Sequence, residues 1–262
     1  KKADAGIMIS ASHKSTEFNG IRLFSGTGYS FSDDVEEEIE RLILDNPEKI
    51  TLSSGSGVGA VSDYENSAED YISHILSCAK TKLDGLKIAI DCSNGSASLT
   101  AEKIFTSLGA EVKLIANEPD GLNINKECGS THIDGLMEFV IENGCDCGLA
   151  FDGDADRCLA VDENGELIDG DKLIALCAKE YKKQDKLMNN TVVVNVMTNL
   201  GLVNFAKENG INVVTTAVGD KYILAKMLDG GYNLGGGQNG HIIFPEDIPL
   251  GDGQLSGARI LG

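Results

Sequence analysis

Twice along this chain a short β-branched run leads through a helical stretch into a second such run, and this pattern restricts the fold more than any other feature. Leu86 to Asp91 (LKIAID) precedes the turn SNGS, a helical stretch from Leu99 to Leu108 that stops at Gly109, and the run EVKLI at 111–115. TVVVNV at 191–196 precedes a helix over 200–208 ending at Asn209-Gly210, and then INVVTT at 211–216. A strand-helix-strand unit makes its two strands parallel with a right-handed crossover, because a tight hairpin cannot join parallel neighbours. The two units share no clear residue identity, so the repetition is architectural. They predict consecutive α/β domains with mixed, mainly parallel sheets and helices on both faces.

The 262 residues exceed what one core usually serves, which also favours several domains. The expected boundaries are 1–75, 76–170 and 171–262. The first of these opens on an apolar strand at Ala5 to Ser10. A helix follows, with Ser32 as its cap, Glu36 and Glu37 in its first turn and Val35, Ile39, Leu42 and Ile43 on its apolar side. Residues 51–63 (TLSSGSGVGAVSD) are rich in Ser and Gly and read as a loop, and residues 68–82 read as helix. Asp169-Gly170-Asp171 leads a further helix from Lys172 to Lys182.

Charge narrows the function classes. Lys and Arg number 22 against 41 Asp and Glu, a formal charge of -19 that repels phosphate backbones and anionic lipid. Nucleic acid and membrane are therefore not expected as partners, and an anionic small molecule needs local cations or a metal. No apolar run approaches the roughly 20 residues of a membrane span. The start, KKADAGIMIS, lacks the apolar segment and cleavage site of a secretory signal. The seven cysteines form an odd set with no CxxC pair, and several sit in apolar runs. Reduced, buried thiols and a cytoplasmic location are expected.

Three clusters carry chemistry. In FDGDADRC at 151–158 the carboxylates Asp152, Asp154 and Asp156 alternate between core-like runs, Gly148 to Phe151 and Cys158 to Val161. Two carboxylates about 5 Å apart repel by roughly 3 kcal/mol at an effective dielectric near 20, so three in one turn need compensation. A solvated acidic turn does not account for the apolar walls. A calcium loop of EF-hand type would use Glu163 at its twelfth position, but it requires Gly where Arg157 stands and helices where strands are expected. A Mg²⁺ site in a strand-loop-strand, with Arg157 placed to grip a phosphate, fits the pattern better. The second cluster, Ser10-Ala11-Ser12-His13-Lys14, puts two hydroxyls and an imidazole at the C-terminal end of a strand; by itself it reads equally as a Ser-rich turn. The third, Leu234 to His241 (LGGGQNGH), is either a flexible surface loop or a backbone-rich cradle for a polar ligand.

Together these clusters resemble the α-D-phosphohexomutase family. GIMISASH with Asn19-Gly20-Ile21-Arg22-Leu23-Phe24 looks like its phosphoserine segment, FDGDADR like its metal loop, and GDKY (219–222) with GGGQNGH like its sugar loops. Pro119 to Asn125 (PDGLNIN), followed by Cys128 to His132 (CGSTH), resembles the phosphoglucosamine branch. The resemblance implies that Ser12 carries a phosphoryl group and completes a Mg²⁺ shell with Asp152, Asp154 and Asp156. It assigns Ser12, His13 and Arg22 to catalysis, and Arg157, Gly219, Asp220, Lys221, Gly237, Asn239 and His241 to the substrate. The implied reaction converts glucosamine 6-phosphate to glucosamine 1-phosphate through a bisphosphate, a step toward UDP-N-acetylglucosamine and the cell wall. Alternatives are a phosphomannomutase or phosphoglucomutase, or a non-catalytic phosphosugar-binding homologue. A homodimer is compatible with the resemblance.

Some positions depart from the family pattern. Lys14 and Ser15 replace Asn and Pro, Arg22 replaces a Lys, Lys221 replaces an Arg, and Gly237 and Asn239 replace Glu and Ser. Arginine hardly deprotonates, so Arg22 is expected to stabilise charge and not to move a proton. The family also has a longer stretch ahead of the serine segment and a fourth, phosphate-binding domain, so the chain reads as a fragment or truncated homologue.

Overall fold

The structure is a computed structural model and describes residues 3–262. It separates into two compact units, one made of the residues up to Ile9 with Ile21–Ser67, the other of Ser10–Gly20 with Ala68–Gly262.

In the first unit, β1 (Ala5–Ile9) and β2 (Ile21–Ser25) form an antiparallel ribbon in which Met8 faces Arg22. Helix α1 (Asp33–Leu44) begins after Ser32, as its spacing predicts. The Ser32 hydroxyl makes no capping bond, however. The backbone carbonyl of Ser32 accepts from Val35 and Glu36, and Asp33, Asp34 and Glu36 supply the negative charge that suits a helix N-terminus. Of the apolar side, Ile39 and Leu42 are half-buried while Val35 and Ile43 are exposed.

The second unit holds two sheets. Helix α2 (Ser67–Ala79) leads into β3 (Lys87–Asp91), α3 (Ala101–Ser107), β4 (Glu111–Ile115), α4 (Asp134–Asn143), β5 (Cys147–Phe151), β6 (Cys158–Val161) and β7 (Leu167–Ile168). The five strands lie in the order β4-β3-β5-β6-β7, parallel across β4, β3 and β5 and antiparallel beyond. The helix expected over 99–108 is split: Ser96–Leu99 forms a 3-10 turn before α3. The free amide at the start of this turn, Ser96, donates to the carbonyl of Gly153 at 2.9 Å and so ties the turn to the acidic loop.

The second sheet follows α5 (Gly170–Lys183), whose N-cap Asp169 accepts from the Lys172 amide. Next come β8 (Thr191–Asn195), α6 (Leu200–Glu208), β9 (Asn212–Thr216), α7 (Asp220–Gly230), β10 (Gly235–Gly236), β11 (Ile242–Ile243) and α8 (Gly253–Leu261). The order is β11-β10-β8-β9, with β10, β8 and β9 parallel. Both strand-helix-strand units thus give the parallel pairs that their sequence demands.

One hydrophobic core joins the two sheets. Ile88, Ile90, Leu149 and Phe151 from the first and Val192, Val194 and Ile242 from the second belong to the same buried cluster, with Phe105, Leu173 and Leu255 between them. Polar ties reinforce it where α8 begins. The Tyr71 hydroxyl donates to Asp252, and Asp252 caps α8 by accepting from the Leu255 amide at 2.8 Å. The next amide, Gly253, donates to the carbonyl of Ala155 at 2.8 Å, fastening α8 to the acidic turn; a Cβ on Gly253 would lie 2.3 Å from the Arg157 carbonyl oxygen. Among the described residues no helix is long and apolar enough to cross a membrane.

Phe105 is fully buried and stacks on Phe151, the residue that leads into the acidic turn, with ring centroids 6.5 Å apart. Phe105→Ala should cost about 3–5 kcal/mol, as for large-to-small changes in a tight core. Urea denaturation followed by far-UV circular dichroism measures it; a loss below about 1 kcal/mol would mean the core here is loosely packed.

Candidate active site

The hairpin of β5 and β6 carries the acidic turn at its tip, so two core strands hold both ends of the loop. Phe151 and Cys158 pair across the hairpin and are fully buried. Ala155 takes a left-handed backbone (φ 58), which makes the turn tight enough to gather Asp152, Asp154 and Asp156. One carboxylate oxygen from each lies within 4.8 Å of the others. Asp152 is 1% exposed. Burial, then the Asp156 and Asp154 carboxylates, push its carboxyl up to about 7, against the opposing pull of the Ser12 hydroxyl and Arg157. Asp154 Oδ1 is buried without a hydrogen-bond partner. Three hard oxygen donors, one of them held partly protonated by its neighbours and another with an unsatisfied oxygen, fit a divalent cation. These residues could therefore hold a metal.

The segment 10–20 packs on this turn within the same unit. Ser12 Oγ donates to Asp152 Oδ2 at 2.8 Å, and Ser10 Oγ donates to Asp154 Oδ2 at 3.0 Å. The Ser12 amide in turn donates to Ser10 Oγ at 2.9 Å, so the two serines brace each other. Ser12 has φ 53, a left-handed backbone that non-glycine residues rarely adopt. Gly153 makes the approach feasible: a Cβ there would stand 2.6 Å from the Ser12 carbonyl oxygen. His13 Nδ1 lies 3.3 Å from Ser12 Oγ. Its pKa is lowered, by burial first and then by Arg157 and Lys14, so the imidazole is mostly neutral near pH 7.

Arg157 closes the other side of the turn. Its amide donates to Asp152 Oδ1 at 3.2 Å, and its Nε lies 3.7 Å from Asp152 Oδ2 and 3.8 Å from Asp156 Oδ1. The glycine-rich loop docks beside it. The Cys158 amide donates to the carbonyl of Gly240, and Gly240 (φ 88) has no room for a Cβ, which would sit 2.4 Å from the Cys158 carbonyl oxygen. The loop is therefore not a free surface segment. His241, 3% exposed, places Nδ1 3.6 Å from Asp156 Oδ2 and 3.6 Å from Asp220 Oδ2. Burial draws its pKa down, but these two carboxylates outweigh that and leave it raised. The His241 amide donates to Asn239 Oδ1 at 3.3 Å. At Gly237 a side chain would first meet the Asn195 amide nitrogen, 2.9 Å from a Cβ.

Of the residues the sequence singled out, Ser12, His13, Asp152, Asp154, Asp156 and Arg157 converge on one turn, and His241 joins Asp156 to Asp220. Gly219 and Asp220 stand at the start of α7, and Lys221 lies over the Tyr222 ring, 5.2 Å from its centroid. Arg22 lies on β2 in the first unit. Two contributors had no role assigned from sequence. Ser10 was in view as the second hydroxyl of SASH. Asn125, whose amide meets the serine segment, had only its place in PDGLNIN.

The comparisons with known proteins agree with this geometry. Models of the phosphoglucomutase/phosphomannomutase α/β/α domains I, II and III match residues 1–49, 69–165 and 169–262 respectively. A phosphoglucosamine mutase of Acetivibrio thermocellus is 57% identical over 259 residues, covering 99% of this chain and 58% of that protein. A second, from Clostridium novyi, is 51% identical over 260 residues with the same two coverages. The chain thus spans 58% of the length of these relatives. A crystal structure of a phosphoglucomutase/phosphomannomutase family protein from Burkholderia thailandensis superposes with a TM-score of 0.83 at 25% identity, over 100% of this chain and 56% of that one. The chain belongs to the phosphoglucomutase/phosphomannomutase family of phosphohexomutases, most similar to its phosphoglucosamine mutases.

Proposed function

We propose that the protein of which this chain forms part is a phosphoglucosamine mutase that moves a phosphoryl group between O6 and O1 of glucosamine phosphate, with Ser12 as the carrier and Mg²⁺ as the ion at Asp152, Asp154 and Asp156. The contact that carries this reading is Ser12 Oγ on Asp152 at 2.8 Å, a candidate nucleophile seated on the three-carboxylate turn. High identity to phosphoglucosamine mutases supports the aminosugar over other hexoses. A Mg²⁺ ion bound here would neutralise charge on a transferring phosphoryl group.

The chain's own groups supply positioning and proton handling. With Ser12 phosphorylated, a sugar hydroxyl oxygen attacks phosphorus, the bond from phosphorus to Ser12 Oγ breaks, and the hydroxyl proton leaves to a neighbouring base. The bisphosphate turns over, and the second phosphoryl group returns to Ser12 by the same exchange, so the phosphate count is unchanged. His13, with Nδ1 3.3 Å from Ser12 Oγ, can exchange a proton with the serine oxygen. Arg157 offers a guanidinium fork to phosphate oxygens. His241, between Asp156 and Asp220, holds the sugar loop to the acidic turn. Arg22 stabilises charge. Gly237 leaves the sugar hydroxyls without the acidic acceptor of the family pattern, so specificity rests more on Asn239, Lys221 and Gly219-Asp220. The three segments 1–75, 76–170 and 171–262 would supply the serine, metal and sugar loops in turn.

Two measurements test this. Incubation with hexose bisphosphate should add one phosphoryl group to the protein, seen by intact mass and ³¹P NMR at Ser12. Ser12→Ala should lower conversion of glucosamine 6-phosphate by about 10⁴-fold or more. Asp154→Asn should lower it about 10²-fold or more with the circular dichroism spectrum unchanged. Full turnover without Ser12 would defeat the reading.

A further test concerns charge. Asp152 rises from an ordinary 3.8 to about 7 in the folded protein, so the fold keeps a proton that the unfolded chain gives up. That contribution is complete below pH 3.8 and is lost as pH rises to about 7, a change on the order of a few kcal/mol. In EDTA, Asp152→Asn should therefore flatten the fall in Tm between pH 4 and pH 8. Mg²⁺ at pH 7.5 should raise the Tm of the parent and leave that of Asp152→Asn unmoved. A parent Tm indifferent to Mg²⁺ would remove the ion from this site.

A further inference from the structure

Asn125 is buried, lies far in sequence from every cluster named for chemistry, and yet touches the serine segment twice. Its Nδ2 donates to the Ser12 carbonyl at 2.8 Å and to the Lys14 carbonyl at 2.9 Å, while its own amide donates to the Ser93 carbonyl at 2.9 Å. We propose that Asn125 is the positioning residue that holds Ser12 in its left-handed conformation and so aims Oγ at the acidic turn.

The argument rests on three observations. First, Ser12 at φ 53 is strained, and the turn around it is closed by the Lys14 amide donating to the Ala11 carbonyl at 3.1 Å. Such a backbone persists only where the surroundings over-determine it. A primary amide is the neutral side chain with two hydrogens on one nitrogen, and here both are used on carbonyls two residues apart. Second, Asn125 is itself held left-handed (φ 56), a conformation that Asn tolerates better than most residues. Third, the space is cut to fit. A Cβ on Gly153 would meet the Ser12 carbonyl oxygen at 2.6 Å and Asn125 Nδ2 at 2.8 Å, so the acidic turn, the serine segment and Asn125 close on one point.

The orientation of the amide is set by its partners. Turned over, Oδ1 would face two carbonyl oxygens with no hydrogen between them. In the orientation adopted, Oδ1 is buried with no hydrogen-bond partner. A buried acceptor left unsatisfied is costly, and residues that accept that cost tend to be kept for function. Asp at this position would set a negative charge against two carbonyls, and Ala would leave both unpaired.

The inference rests on the mutase reading for its consequence in turnover, but its structural content can be tested separately. Hydrogen exchange on the metal-free protein, parent against Asn125→Ala, should show faster exchange confined to residues 10–16. Turnover, measured on the protein at its natural length, should show Asn125→Ala lowering kcat about tenfold or more, because a small misplacement of a reacting group is enough for that. KM for the phosphosugar and the Mg²⁺ affinity of the unphosphorylated protein should stay within about twofold, since the hydrogen bonds of Asn125 go to the Ser12, Lys14 and Ser93 carbonyls and not to the three carboxylates. Asn125→Asp should be worse than Asn125→Ala. Unchanged exchange over 10–16, or faster exchange spread equally over β3, β5 and β6, would overturn the proposal, as would parent-level kcat in Asn125→Ala. Failure of the parent to form phosphoserine would instead defeat the mutase reading, and the exchange experiment would still decide the role of Asn125.

Discussion

Three carboxylates share a turn whose oxygens come within 4.8 Å of one another, with one of them almost wholly removed from water. Left alone, that arrangement pulls the chain apart by mutual repulsion, and much of the surrounding structure can be understood as resistance to it. The hairpin strands are buried to the last residue on either side. Arg157 supplies positive charge from the adjacent position. The Ser12 and Ser10 hydroxyls donate to two of the carboxylates, and α8 is fastened to the loop backbone through the Gly253 amide. Each of these satisfies part of the oxygen inventory. What stays unsatisfied, Asp154 Oδ1 among it, matches the demand of a hard cation.

In the second unit the largest buried cluster spans both sheets, with a smaller cluster on the outer face of each. The acidic turn and the glycine loop must stay in register for His241 to reach both Asp156 and Asp220, and this contact is only 3.6 Å on each side. Gly240 permits the loop to lie on β6 with no side chain between them. Below this contact, the shared cluster from Ile88 to Ala258 leaves the two sheets little freedom to slide. Rigidity here serves geometry: side chains held by packed strands keep positions that a mobile loop would not.

Much of the fold was legible in the order of residues. The two strand-helix-strand units appear where periodicity places them, and the helix over 200–208 matches residue for residue. The acidic hairpin was visible because charge at alternate positions between apolar runs is costly unless it is used. The deviations lie at helix starts: Ser32 begins its helix without using its hydroxyl, and Ser96–Leu99 winds as a 3-10 turn whose first amide is taken by the Gly153 carbonyl, distant in sequence.

The sequence by itself determined which chemistry is available: a serine pair, an imidazole, three alternating carboxylates, and a glycine-dense loop, each on a local element that its own composition specifies. Periodicity and propensity act over a few residues, and that is the range over which a chain can be read directly. Only the tertiary structure decided that Ser12 meets Asp152 across 140 positions and that Asn125 grips the serine segment across 113. It also decided that the glycine loop packs on β6 and does not wave free. These are contacts between segments with no shared period. They arise from the steric room left by Gly153 and Gly240 and from buried polar groups that must each find a partner, conditions that exist only once the sheets are stacked.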